Sequence, residues 1–511
     1  MSVPAPDGFL RRLGHWARTT PDAVAVSEDG LSIGYAEFRE LITAAADRLT
    51  RAGLRPADRV ALVGNNSAAY LVNAFAVWEA GGVLATIYPS LGTAELTYCL
   101  DSADPVLVIA DERVDEAVRA HAPAGVPVVG LGLRPTVGKV ATGRQAPPTE
   151  LAGELALLCF TSGSTSVPKA VMHSLDGLTA AAATFARVWH ITPEDRTIVC
   201  LPMAWAFGLV TTSMTTLLSG GTVLPLARTR PEALVCAIAE DKATFLAGVT
   251  TVFTKLVEHL AALPRLPDTS SLRLCVSGGE PRNEKSFARW QEMTHVPVHD
   301  NYAASECFPV ITYDPVSDPV PRYRSSGRVV SGARMRIVDG DGHDVAPGQA
   351  GEALWQGPAQ MLGYWKNPEQ TAKALTADGW YRTSDLVRVD EGGYVYVEGR
   401  LSDMIIRGGS NVSPSEVEAV LAAHASVRQI AVVGIDDEIY GQQVVAVVYP
   451  QDPDTFDGDA LLAYGRTRLA GYKVPTRVVC VGEELPLHPA TDKVDRKRLA
   501  GRLTTASGST P

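Results

Sequence analysis

Residues 160–171 read FTSGSTSVPKAV; Thr161 to Ser166 are all Ser, Thr or Gly, and Pro168 and Lys169 follow. Hydroxyl donors, a glycine that lets backbone come close and consecutive N–H groups suit an anion, and a lysine adds a point charge. The chemistry open to such a stretch is to hold phosphate. It does not match the P-loop pattern G-x-x-x-x-G-K-S/T. No second glycine precedes Lys169, Ala170 follows it, and Pro168 opposes a helix starting there. Taken alone, the stretch also reads as a Ser/Thr-rich surface turn.

The flanking elements must position this loop. From about residue 25 to 340, strand-like and helix-like runs alternate, the mark of parallel sheets covered by helices. RVALVGN (59–65) is a strand run, followed by the helical AAYLVNAFAVWEAGG, then VLATIY, the helical AELTYCLDSA and PVLVIAD. LRLCVSGGE (272–280) is a strand feeding a glycine turn, the place where α/β sheets put ligands. After about 330 come short, glycine-punctuated strands: ARMRIVDGDGHDV, GEALWQG, YVYVEGR. From about 403, helix PSEVEAVLAAHA, strands QIAVVGI and QQVVAVVYP and a further helix form an α/β module of about 110 residues, long enough to fold on its own.

The chain has 511 residues, 46% apolar and 20% charged, which suits a soluble protein of about three domains or subdomains. A net charge of −11 with no dense basic run argues against a nucleic-acid partner. No apolar run approaches the ~20 residues of a membrane span, and the start reads as an amphipathic helix, not a secretory signal. The seven cysteines are scattered and unpaired in sequence, so they read as buried thiols in a reducing cytoplasm.

Further motifs stand in a recognisable order, and with them the chain resembles the acyl-adenylate-forming superfamily: acyl-CoA synthetases, peptide-synthetase adenylation domains and firefly luciferase. Phe160–Ala170 resembles that family's phosphate loop, with Ser166 and Ala170 at two usual glycines. SGGEP (277–281) resembles its adenine-binding turn, and NYAASE (301–306) its Y-G-x-T-E motif. GEALWQGPAQMLGYWKNPEQT (351–371), WYRTSDL (380–386), GRLSDMIIRGGSNVSPSEVE (399–418), LAGYKVP (469–475) and LPLHPATDKVDRKRL (485–499) match the later motifs. Together they span about residues 20–500, and the wording is nearest to benzoate-type aryl-CoA ligases.

The resemblance implies an α/β fold. A large N-terminal domain, 1–401, would hold two parallel-type α/β subdomains and a small β unit. A small mobile C-terminal α+β domain, 403–511, would pivot near Ser402. Implied ATP or AMP contacts are Thr161, Ser162, Gly163, Ser164, Thr165, Lys169, Gly279, Glu280, Pro281, Asn301, Tyr302, Ala303, Asp385 and Arg400. Implied catalytic residues are Lys493, Ser305 at the α-phosphate, and Glu306 as Mg²⁺ ligand. Gly408 and Gly409 would flank a pantetheine tunnel. The implied cofactors are ATP, Mg²⁺ and CoA or a carrier-protein phosphopantetheine. The implied partners are a small carboxylic acid and, in one alternative, an acyl carrier protein, for a cytoplasmic monomer or homodimer.

Physical roles follow. Adenylation brings a carboxylate to a triphosphate, so cations must offset their repulsion, and Lys493 suits that task. Glu306 is a hard oxygen donor for Mg²⁺, and Asp385 can accept from both hydroxyls of a ribose. Ser402 stands where the family more often has Asp or Lys, and Asp492 replaces the glycine before the catalytic lysine. LPMAWAFGL (201–209) resembles the motif lining the acyl pocket. Amino-acid adenylation domains place an aspartate where this chain has Ala206, and an unpaired ammonium there would be costly. Trp205, Ala206, Phe207, Val249, Phe253, Gly278, Ala304 and Phe308 are expected to form an apolar pocket for a flat aryl or cyclic acid. Three other readings remain: loading of a carrier protein, adenylation of an unusual oxyanion such as nitrite, and non-catalytic nucleotide binding.

Overall fold

A computed structural model describes residues 8–142, 153–161, 168–408, 410–437, 439–486 and 494–507, of which 402, 411, 497 and 504–507 are described as backbone only. The chain forms two compact units, 1–335 with 355–382, and 336–354 with 383–511.

The first unit is built on two sheets, as expected of two parallel-type subdomains. One has seven strands, in the order Gly363–Tyr364, Lys169–Ser174, Leu155–Thr161, Val83–Ile87, Arg59–Val63, Leu107–Ala110, Val128–Gly130. From Leu155–Thr161 to Val128–Gly130 the neighbours run parallel. Every residue of RVALV is buried, as both faces of a parallel strand are covered by helices. Helix Ala68–Glu79 is apolar on nearly every side because it lies between layers; Ser67 caps it by accepting from the Tyr70 N–H at 3.1 Å.

The other sheet has ten strands. Six run parallel: Val298–Ala304, Leu274–Gly278, Phe245–Gly248, Arg196–Val199, Thr222–Pro225 and Val24–Glu28. The hairpin partner Cys307–Thr312 pairs antiparallel to the first of these. Helix Phe9–Thr19 forms at the start of the chain, as the amphipathic pattern implies.

The second unit contains most of a four-stranded sheet, Arg334–Val338, Gly351–Gln356, Tyr381–Val389 and Val395–Arg400. A five-stranded sheet is centred on Val427–Asp437 and Gly441–Pro450. Residues 336–354 and 383–401 group with the C-terminal segment. Ser413 and Ser415 explain part of this, since both hydroxyls donate to the Glu398 carbonyl and fasten strand Val395–Arg400 to helix Pro414–Leu421.

Cys99, Cys159, Cys200, Cys275 and Cys307 are buried, whereas Cys236 and Cys480 are exposed, which corrects the reading of the thiols as a buried set. Burial pushes Cys159 up to about 11 and Cys99, Cys200 and Cys275 up to about 12, so these thiols stay protonated. Among the described residues no helix is long and apolar enough to cross a membrane.

Candidate active site

The phosphate-loop stretch is anchored at both ends. Thr161 ends one strand and Lys169 begins the next; the two are register partners across an antiparallel pair. The Thr161 hydroxyl donates to the Lys169 carbonyl at 3.4 Å. Ser162, Gly163, Ser164, Thr165 and Ser166 lie outside the described residues, as do Gly409, Asp492 and Lys493.

Strand Lys169–Ser174 continues into pairing with Gly363–Tyr364, where Tyr364 faces Val171 in register. The Trp365 N–H donates to the Ala170 carbonyl at 2.9 Å. This pairing carries the Tyr364 ring to Lys169, whose Nζ sits 5.0 Å from the ring centroid. The phenol donates to Glu306 Oε1 at 2.8 Å. Burial first, then the Glu306 carboxylate, holds the phenol well above its usual range, so it remains a donor. Lys169, Tyr364 and Glu306 thus form a connected row.

Ser305 and Glu306 make the turn between strands Val298–Ala304 and Cys307–Thr312, not the start of a helix. Two contacts hold this turn. The Met361 N–H donates to the Glu306 carbonyl at 2.7 Å, and His173 Nε2 lies 2.7 Å from the Ser305 carbonyl. His173 is 1% exposed. Burial lowers its pKa to about 4, so the ring is neutral and Nε2 carries the proton it donates.

The expected adenine turn lies at the end of strand Leu274–Gly278. Gly278 faces Asn301 in register, and a Cβ on it would stand 2.6 Å from the Asn301 carbonyl oxygen. Gly279 has φ +82°. Glu280 accepts from the Thr251 N–H at 2.8 Å and from its hydroxyl, while the Thr250 hydroxyl donates to the Pro281 carbonyl at 2.9 Å. The turn is therefore pinned to the first residues of helix Thr250–Ala262. Asn301 Oδ1 is buried and has no hydrogen-bond partner among the described residues. An orphaned buried acceptor carries a desolvation cost, which a ligand N–H there would remove. Beside Asn301 in the same strand, Asp300 is buried and pushed up to about 6 by burial, against the opposing charge of Arg282.

Next to Gly278 lies the acyl-pocket stretch. The Phe207 Cε1 edge is 3.2 Å from where a Gly278 Cβ would stand, and Val249 Cγ1 is 3.9 Å from where a Gly279 Cβ would stand. Phe207 opens a π-helical segment, Phe207–Met214. The Ser213 and Thr215 hydroxyls donate to the Gly208 and Val210 carbonyls five residues back, which suits the wider turn. Gly208 is required: a Cβ would meet the Pro202 carbonyl oxygen at 2.3 Å. Trp205 is half-buried with its ring 5.5 Å from that of Tyr88, tilted 41°. Ala206 is buried, and Tyr302, Ala303 and Ala304 are half-buried at the end of their strand.

Two other expected pocket residues are almost fully buried. Phe253 is fully buried, with Phe287 and Trp290 against it at 5.8 and 5.5 Å, and Phe308 is 2% exposed and packs on the His173 ring. Tyr364, His173 and Tyr88 are the residues that motif reading passed over. Tyr364 stood inside the quoted 351–371 motif and carried no assignment.

In the second unit Asp385 and Arg400 are register partners, with Arg400 Nε 2.9 Å from Asp385 Oδ1. The Asp385 side chain is 9% exposed and that of Arg400 55%. The Asp385 N–H donates to the Thr383 hydroxyl at 2.9 Å, and Ser384 takes φ +58°, the kink that turns this strand. Ser402 lies in the short turn Leu401–Asp403. Gly408, with φ +56°, donates its N–H to the Tyr440 carbonyl at 2.7 Å.

Comparison with known proteins fits this geometry. Residues 13–365 match the family model described as AMP-binding enzyme, and residues 416–491 match its C-terminal domain. The chain belongs to the AMP-binding enzyme family. It is 36% identical over 473 residues to a feruloyl-CoA synthase of Amycolatopsis, covering 91% of this chain and 94% of that protein. It is 31% identical over 500 residues to an indoleacetate–CoA ligase of Aromatoleum aromaticum, covering 95% and 96%. The crystal structure of ATP-bound MatB from Rhodopseudomonas palustris superposes with a TM-score of 0.87 at 30% identity, covering 98% and 99%.

Proposed function

We propose that this chain is an AMP-forming acid–CoA ligase acting on an aryl carboxylic acid. The acid's carboxylate attacks the α-phosphorus of ATP, giving an acyl adenylate and pyrophosphate. The CoA thiol then attacks the acyl carbon, AMP leaves, and the thiol proton is released. Membership of the AMP-binding family and the relatives named as CoA ligases support both half-reactions.

The observations that support the aryl reading are the Tyr88–Trp205 ring pair and the edge of Phe207 beside the small Gly278. Aromatic side chains and a small glycine suit a flat apolar acid, and Ala206 offers no carboxylate to an α-ammonium. The names of both relatives, a feruloyl-CoA synthase and an indoleacetate–CoA ligase, agree with a planar acid.

The nucleotide roles follow the same logic. Asn301 Oδ1, orphaned in its buried place, accepts from the adenine amino group. Gly278 and Gly279 allow the base to approach, with Glu280 and Pro281 shaping the turn. Asp385, aimed by Arg400, accepts from the ribose hydroxyls. Lys169 and the hydroxyls of 161–165 hold the distal phosphates, and Ser305 meets the α-phosphate. Lys493 neutralises the approach of the two anions. The Glu306 carboxylate, with Tyr364 bound to one oxygen, fits a hard divalent cation, and Mg²⁺ there would screen the phosphate charge. Ser402 is the proposed pivot of the thioester step, and Gly408 and Gly409 would leave room for a pantetheine arm. Magnesium, these site roles and the pivot are parts of this proposal.

The test is pyrophosphate release with ATP and Mg²⁺ across benzoates, cinnamates, arylacetates, short fatty acids, α-amino acids and nitrite, each with and without CoA. Release with aryl acids, and thioester only when CoA is present, supports the reading. Preference for an aliphatic or amino acid, release only with nitrite, or acyl transfer to a carrier protein but not to CoA overturns it.

A further inference from the structure

Tyr364 lies between two groups that the proposed reaction needs but does not otherwise join. Its phenol donates to Glu306 Oε1 at 2.8 Å, and its ring lies under Lys169 Nζ at 5.0 Å. The side chain is 5% exposed. Its backbone is held firmly: the Tyr364 N–H donates to the Thr371 hydroxyl at 2.9 Å, and the strand pairs with the one that leaves the phosphate loop. Gly363, at φ +136°, lets this short strand pass close, since a Cβ there would stand 2.9 Å from Thr371 Cγ2.

We propose that Tyr364 is a positioning residue that sets the Glu306 carboxylate for the divalent cation and the Lys169 ammonium for the phosphates of ATP, coupling the two. The proposal rests on the reading of Glu306 as the cation ligand. A carboxylate has two oxygens and can rotate between several binding poses. A phenol fixed on Oε1 removes that freedom and would leave Oε2 available to a divalent cation, as carboxylate ligands are commonly held by a neighbouring donor. The ammonium over the ring face is drawn by the ring's negative quadrupole. That attraction holds a flexible four-carbon stem in one place without neutralising its charge. It also polarises the ring toward the cation, which strengthens the O–H as a donor. One side chain thereby orders a cation at each side of the phosphate chain.

Two substitutions separate the two contacts. Tyr364→Phe keeps the ring and removes the hydroxyl; Tyr364→Leu removes both. The readout is equilibrium binding, with Mn²⁺ as the probe, titrated by electron paramagnetic resonance in the presence of the non-hydrolysable analogue α,β-methylene-ATP. Binding of the same analogue in EDTA is measured separately, and Glu306→Gln serves as reference. The expected result for Tyr364→Phe is Mn²⁺ affinity about ten-fold weaker, with metal-free analogue affinity and thermal midpoint near wild type. Tyr364→Leu is expected to weaken metal-free analogue binding several-fold in addition. Wild-type Mn²⁺ affinity in Tyr364→Phe overturns the carboxylate half. Equal metal-free affinity in the Leu and Phe variants overturns the lysine half. If Glu306→Gln itself binds Mn²⁺ like wild type, the reading of Glu306 fails; if only Tyr364→Phe does, that reading stands and this inference falls.

Discussion

His173 gives the sharpest quantitative consequence. It is 1% exposed, and burial lowers its pKa from 6.5 to about 4. The folded chain therefore disfavours the imidazolium. A base with a depressed folded pKa stabilises fully above its unfolded value, here 6.5, and that contribution is lost as pH falls through about 4. At about 1.4 kcal/mol per pKa unit, the loss across this window is about 3 kcal/mol. The first unit has roughly 360 residues. With an unfolding entropy of about 2.1 cal/mol/K per residue, the corresponding shift in its melting midpoint is about 4 °C. The perturbation is His173→Gln, which keeps an amide donor for the Ser305 carbonyl and removes the titration. The assay is thermal unfolding of both proteins from pH 7.5 to 4.5. Groups that titrate in both largely cancel in the difference. The wild type should fall toward, and then below, the variant on acidification. A difference that stays flat across this range refutes the neutral, buried imidazole. A difference of opposite sign means that the ring is charged in the fold.

Three other outcomes follow from the same geometry. Gly278→Ala places a methyl 2.6 Å from the Asn301 carbonyl oxygen and 3.2 Å from Phe207; overpacking of about 1–3 kcal/mol should lower kcat/KM for the acid by roughly ten- to hundred-fold, and an unchanged value sinks the placement of both residues in the site. Arg400→Ala leaves a 9% exposed Asp385 without its guanidinium partner; a charge-assisted contact of about 1.5–3 kcal/mol translates into an ATP KM at least ten-fold higher, and an ATP KM equal to wild type counts against Asp385 as the ribose acceptor. Asp300, raised from 3.8 to about 6 chiefly by burial, contributes stability that is present below pH 3.8 and lost as pH rises through about 6. Asp300→Asn should therefore gain melting temperature relative to wild type between pH 4 and 6.5, and the reverse trend would mean that Arg282 outweighs burial.

Much of this protein was written in local pattern. RVALV, VLATI and LVIA are short apolar runs between helical stretches, and each forms a buried parallel strand, since burial on both faces leaves no polar position to break the run. Ordered motifs pointed to the nucleotide chemistry because glycines and charged residues at a ligand must sit at set places along the chain. The pattern stopped short where a side chain's partner comes from a distant segment. Phe253 and Phe207 are both aromatic residues in apolar surroundings. Only packing separates them, Phe253 closing against Phe287 and Trp290 while Phe207 meets Gly278. Glu306 could have headed a helix; antiparallel pairing of its flanking strands makes it a turn residue instead. Tyr364 reaches Glu306 and Lys169 because a two-residue strand adds to the edge of the seven-stranded sheet. Sequence determined which groups could bind phosphate, a cation and an acid. Tertiary structure decided which of them meet, because strand order and register bring together residues that no local spacing relates.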